Sequence, residues 1–284
     1  MKLSKIFALL LALCLISSAA CAATFTDAHG NVIELDDSLE AYAAVALVGA
    51  DNAARQGETN LGDLWADALR WFAVSGEINA AFDEDDVKAG NDRIAVDADH
   101  VVALWNGGNL RADIAEGTFG AEALAEVLPF PNKVAVVYMT GAQLLETLEA
   151  ASQGLPYTAE TADACASLMQ VSGLTYTVDT AKAYDALEAY GDHWFTAGSV
   201  SRVRIDDVNG QPFDAEATYA VVTSNANFNG MDSSYVLKAA AEANEQSAVT
   251  TAVVRDVVFR FIAAELNHQV GEAYAAPQGR LTVL

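Results

Sequence analysis

The chain has 284 residues, 52% of them hydrophobic, and a formal charge of −24. A field that acidic disfavours nucleic acid and anionic membrane surfaces as partners. An anionic small ligand would bind only where arginines override the background locally, because salt confines the long-range repulsion to roughly 8 Å.

Lys2 and Lys5 precede an apolar run from Ile6 to Ile16, and Ala20-Cys21-Ala22 fits a small-x-small cleavage pattern. Residues 1–22 therefore read as a secretory signal peptide. The run is too short for a membrane span, and nothing later supplies the roughly 20 apolar residues a span requires. The expectation is an exported chain (extracellular, periplasmic or cell-envelope) with no membrane span. A lipid anchor at Cys21 is the second reading, although Ser18 stands where such a signal usually carries leucine. With Cys14 and Cys21 assigned to the leader, Cys165 remains alone and is expected to be a small buried residue.

Residues 23–51 read as a short β segment, with strands from Phe25 to Asp27 and Val32 to Leu35 around Gly30-Asn31. The remainder, 52–284, is long enough for one large domain. Apolar residues at 61, 64, 65, 68, 69 and 72 have helical spacing, with Asn60 as a candidate cap. The acidic run Asp83-Glu84-Asp85-Asp86 lacks the spaced oxygens and turn glycine of a calcium loop, so a solvated loop is expected. Val101 to Trp105 is a strand leading into Gly107-Gly108. Helices are expected over 121–127 and 141–151, with a strand between them over 134–139. A strand pair is expected around Ser172-Gly173, and strands over 202–208 and 219–223 flank Asn209-Gly210. A long amphipathic helix is expected over 249–266 and a closing strand over 281–284. Strands and helices mix without a strict alternation, which favours α+β with a mixed sheet and flanking helices.

Four segments stand out together: "ARQGETNLGDLWADAL", "VALWNGGNLRADI", "EVLPFPNKVAVVYMTGAQLLETLE" and "LMQVSGLTYTVD". A fifth, "TYAVVTSNANFNGMDSSY", follows in order. The series resembles the C-terminal, substrate-binding domain of the 5'-nucleotidase family over about residues 52–284. The resemblance implies a single α+β domain holding a nucleoside or nucleotide. It assigns Arg55 and Arg111 to a phosphate or ribose, roles that suit the rigid donor fork of a guanidinium. It assigns Asn106 to a base edge. Gly107 and Gly108 permit a tight turn and close backbone approach. Phe130 matches one of two rings that sandwich the base in the family, a contact worth about 1–3 kcal/mol. In the fifth segment Asn225 and Asp232 match, with Asp232 placed to accept from ribose hydroxyls. Ala226 stands where the second ring belongs, Phe228 is displaced by two residues, and Met231 and Ser233 replace glycines.

In the family, catalysis belongs to an N-terminal metallophosphatase domain that binds two divalent metal ions. Asp27 and His29 echo its first metal motif, but no Gly-Asn-His-Asp/Glu run and no His-x-His follow. No metal cofactor is therefore expected in this chain. Nor does it carry a G-x-S-x-G elbow, a P-loop or an H-E-x-x-H motif. Three readings stay open. One is an exported nucleoside- or nucleotide-binding domain that does not hydrolyse alone. Another is the substrate-binding component of a two-chain 5'-nucleotidase, partnered by a metallophosphatase chain. The third is a cell-envelope interaction protein with a decayed pocket.

Overall fold

The computed structural model describes residues 24–26, 32–34, 40–50, 52–82 and 97–284. The expected leader over residues 1–22, with Cys21, residues 27–30 and the acidic run at 83–86 lie outside the described residues. Thr24–Thr26 and Val32–Glu34 pair antiparallel, with Thr24 opposite Glu34.

The organising element is a five-stranded mixed sheet. Its order is Ala248–Val253, Lys133–Thr140, Thr218–Ser224, Val101–Asn106, Met169–Ser172. Thr218–Ser224 runs parallel to Val101–Asn106, with Ala220 opposite Val101, and antiparallel to Lys133–Thr140, with Ser224 opposite Val134. Val101–Asn106 is antiparallel to Met169–Ser172, with Asn106 opposite Met169. All six residues of Val101–Asn106 are buried, which is why the sequence reads there as an unbroken apolar run rather than an alternation.

Alternate residues of these strands enter two different cores. Val101, Ala103, Trp105, Val134, Val136 and Val222 pack with the helices Asn60–Val74 and Val254–Ala264. Val102, Leu104, Val137, Met139 and Val221 pack with the helices Gly141–Ala151 and Tyr235–Ala243. A three-stranded sheet, ordered Val203–Val208, Leu174–Val178, Leu281–Val283, closes the second core. Among the described residues no helix is long and apolar enough to cross a membrane.

Local details differ from the sequence reading at three places. Thr59, not Asn60, caps the Asn60–Val74 helix, its hydroxyl accepting from Gly62 N at 3.1 Å. Asn60 is buried instead and ties down the neighbouring backbone, donating to the carbonyls of Ala46 and Tyr274 and accepting from Val48 N. The strands either side of Gly173 do not pair with each other; they belong to different sheets, and Gly173 turns between them at φ +81°. The strands expected to flank Asn209-Gly210 are present, Val203–Val208 and Thr218–Ser224, and fall in separate sheets. Finally, the expected helix over 249–266 begins only at Val254. The preceding Ala248–Val253 is a sheet-edge strand, where Thr250 donates to Val134 O at 2.9 Å and β-branched residues favour extended backbone.

The C-terminal segment is fastened to the Asn60–Val74 helix by carboxylates. Glu58 accepts from the backbone N–H groups of Gln278, Arg280 and Leu281. Asp67 accepts from Tyr274 OH at 3.0 Å, Arg280 Nη2 at 2.8 Å and Ser172 Oγ at 2.6 Å. Asp63 is fully buried and accepts from Gln278 N at 3.1 Å. Burial pushes its pKa up to about 8; the Arg280 guanidinium opposes this, while Glu58 pushes the same way. The folded state thus holds Asp63 protonated, whereas the unfolded side chain ionises near its ordinary value of 3.8. This group favours the fold most strongly below that value, and its contribution is lost as pH rises through about 8. Asp63→Asn keeps an acceptor for Gln278 and mimics the protonated carboxyl. It is expected to flatten the fall in melting temperature between pH 4 and 8, and an unchanged slope in melts across that range would contradict this account.

Candidate ligand site at one end of the central sheet

Strand direction decides which segments meet. Val101–Asn106 and Thr218–Ser224 end at the same sheet edge, where Lys133–Thr140 and Met169–Ser172 begin. The residues that follow Asn106 and Ser224, and those that precede Lys133 and Met169, therefore converge there. Between them lies a cavity of about 320 Å³. Asn106, Gly108, Asn109 and Arg111 come from the first segment and Phe130, Pro131 and Asn132 from the second. Ala166 comes from the third, and Met231 and Asp232 from the fourth.

After Asn106 the chain makes a 3-10 turn over Gly107–Asn109. A Cβ at Gly107 would sit 1.9 Å from Ala54 O, and one at Gly108 would sit 2.7 Å from the Ala166 Cβ. The two glycines thus let the turn lie against neighbouring backbone and the cavity wall at once. Arg111 is anchored through its N–H to Val127 O at 2.9 Å. Its guanidinium lies 5.8 Å over the Phe130 ring, an arrangement worth about 0.5–1 kcal/mol at an exposed site. That ring is 43% exposed, so part of its surface is open to a ligand.

Asp232 sits in left-handed backbone, φ 55°, a conformation that aspartate tolerates better than most residues. Its Oδ2 accepts from Asn106 Nδ2 at 3.0 Å, and Asn106 Oδ1 in turn accepts from Asn109 Nδ2 at 2.8 Å. Asn106 also reaches Ala166 O at 3.5 Å. Both ends of its amide are therefore engaged within the protein, and its geometric effect is to orient the Asp232 carboxylate. Burial raises the Asp232 pKa, opposed by Arg55, Arg111 and the Asn106 hydrogen bond. The neighbouring hairpin, Ala186–Tyr190 with Trp194–Ala197, steadies this loop through Tyr190 OH, which donates to Gly230 O at 2.7 Å.

Of the residues singled out in sequence, Asn106, Gly108, Arg111, Phe130 and Asp232 border the cavity. Three stand outside its lining. Arg55, on the short helix Ala53–Gln56, donates to Ala162 O at 2.8 Å and lies 4.0 Å from Asp163 Oδ1. Asn225 accepts from Lys133 N at 3.0 Å and so braces the strand start beneath Phe130. Phe228 is half-buried against the second core. Sequence reasoning does not find Asn109, Pro131, Asn132, Ala166 or Met231 as wall residues. Only Met231 carries a signal, as a large side chain in a family glycine position, and it is 52% exposed. A larger hollow of about 460 Å³ separates the Ala121–Val127 and Val254–Ala264 helices and contains none of the residues singled out in sequence.

Among the described residues no group of three or more His, Cys, Asp or Glu side chains is placed to hold a metal ion. They do not fit the family's two-metal centre. Cys165 is a buried free thiol among the described residues, its pKa raised by burial.

The 5'-nucleotidase C-terminal domain family matches residues 40–239. The trifunctional nucleotide phosphoesterase protein of Bacillus subtilis (strain 168) is 29% identical over 188 residues, 65% of this chain and 10% of that protein. The 5'-nucleotidase precursor from Thermus thermophilus superposes with a TM-score of 0.62 at 28% identity, covering 86% of this chain and 39% of that one. The NAD nucleotidase of Haemophilus influenzae superposes with a TM-score of 0.57 at 15% identity, covering 92% and 48% respectively; this likeness is one of fold. The chain spans less than half the length of each of these relatives.

Proposed function

The chain belongs to the 5'-nucleotidase family, as its C-terminal domain, and from that premise we propose that it is an exported domain that binds nucleosides or nucleotides and does not cleave them alone. One observation carries the binding reading. Three of the four converging segments bring an acceptor (Asp232), a cation (Arg111) and an exposed ring (Phe130) to one cavity. A nucleoside offers the complements: ribose hydroxyls that donate, and a flat base that stacks. About 320 Å³ falls in the usual range for small-molecule sites, which begins near 300 Å³. Export rests on the leader pattern at residues 1–22.

Calorimetry with adenosine, AMP and UMP tests this reading. Binding of at least one is expected, with a matching rise in melting temperature: about 2.7 kcal/mol of stabilisation at a ligand concentration 100 times Kd. Silence from all three on folded protein would overturn it and favour an envelope interaction protein instead.

A second reading follows from the family. The C-terminal domain family matches residues 40–239, and such a domain also suits the substrate-binding part of a two-chain hydrolase whose metallophosphatase is a separate chain. Phosphate release from AMP only when such a chain is added back would establish that arrangement.

A further inference from the structure

We infer that the cavity selects the uncharged nucleoside and gains nothing from a 5'-phosphate, an inference that rests on the nucleoside- or nucleotide-binding reading above. Only two of the lining residues are ionisable, Arg111 and Asp232, and their charges cancel. The Asp232 carboxylate has Oδ2 committed to Asn106. Among the described residues no protein donor engages Oδ1, which leaves it to accept from hydroxyl or amine donors and to repel an anion. Arg111 is the one cation in the wall, and it already lies over the Phe130 ring.

A second guanidinium would change this balance, but Arg55 is not among the lining residues. It is held by Ala162 O and paired with Asp163, with only 15% of its side chain exposed. Its field still reaches Asp232, so it favours the ionised, hydrogen-bond-accepting carboxylate without offering itself to a phosphate. Outside the cavity the chain's charge of −24 opposes any anion further. A phosphate would therefore meet one arginine offset by one carboxylate, within an acidic surround. A neutral nucleoside would meet a free acceptor and an open ring face.

Titrating the full chain with adenosine and with AMP, at 20 mM and 300 mM salt, separates the possibilities. Adenosine is expected to bind at least as tightly as AMP, with a Kd nearly independent of salt, while any AMP binding strengthens as salt screens the repulsion. AMP binding tenfold or more tighter than adenosine would overturn the inference while leaving the binding reading intact. Binding of neither would remove the binding reading, and this inference with it. Arg55→Gln supplies a second readout, since the inference gives Arg55 no phosphate contact. The ratio of AMP to adenosine affinity should move less than threefold, and a selective loss of AMP binding would contradict the inference.

Discussion

Asp232→Ala is expected to weaken adenosine binding by about 10- to 100-fold. The removed group is a partly buried carboxylate, and hydrogen bonds to charged groups contribute about 1.5–3 kcal/mol each, with each 1.4 kcal/mol a factor of ten in affinity. The same change strips Asn106 Nδ2 of its 3.0 Å partner and places alanine in left-handed backbone at φ 55°, so the melting temperature should fall as well. Asp232→Asn separates the two effects. Asparagine tolerates the backbone and still accepts from Asn106, so stability should hold while adenosine affinity falls through the lost charge. In the parent protein, affinity should decline as pH is lowered through the Asp232 pKa, because protonation removes the charge that strengthens the accepted hydrogen bonds. Burial lifts that pKa, so the decline starts at a higher pH than it would for a solvated aspartate. If Asp232→Ala bound adenosine like the parent, the cavity would not be the site.

Gly107→Ala is expected to cost more than 3 kcal/mol of stability. A Cβ there would lie 1.9 Å from Ala54 O and 2.6 Å from Ala54 C. Both are backbone atoms, which cannot swing aside as a side chain would. Overpacking usually costs about 1–3 kcal/mol, and a clash this short with backbone belongs at or beyond the upper end. The turn also carries Gly108, Asn109 and Arg111, so any shift that relieves the clash displaces the wall and lowers affinity. Gly57→Ala is the control: nothing lies within 4 Å of its Cβ position, and a change within about 0.5 kcal/mol is expected. Denaturant melts of the two variants measure the difference, and equal midpoints would contradict the packing argument.

Some elements are legible because their signals are local. The helix over 121–127 is followed by Pro129, and Gly141–Ala151 opens on a Thr140–Gln143 capping box. Where a choice depends on partners, sequence misleads. Val249 to Val253 shows helical periodicity, yet the edge of Lys133–Thr140 takes it as a strand. The strands around Gly173 resemble a hairpin, yet each has a stronger partner elsewhere. The site follows the same rule. Motif order suggests Asn106, Arg111 and Phe130, but nothing local shows that both ends of the Asn106 amide are engaged by Asp232 and Asn109. Nor does order reveal side-chain direction. Phe228 lies on a helical turn, where two positions rotate a side chain by about 200°, and its ring packs on the core rather than bordering the cavity.

The cavity is walled by residues as far apart in the chain as Asn106 and Asp232, and every segment is held by the end of a central strand. No short stretch of the polypeptide contains it, since its lining runs from Asn106 to Asp232. A bound ligand must therefore act as a clasp on the whole fold. Its binding energy would be read out as slower hydrogen exchange at amides deep in all four of those strands, far beyond the residues it touches.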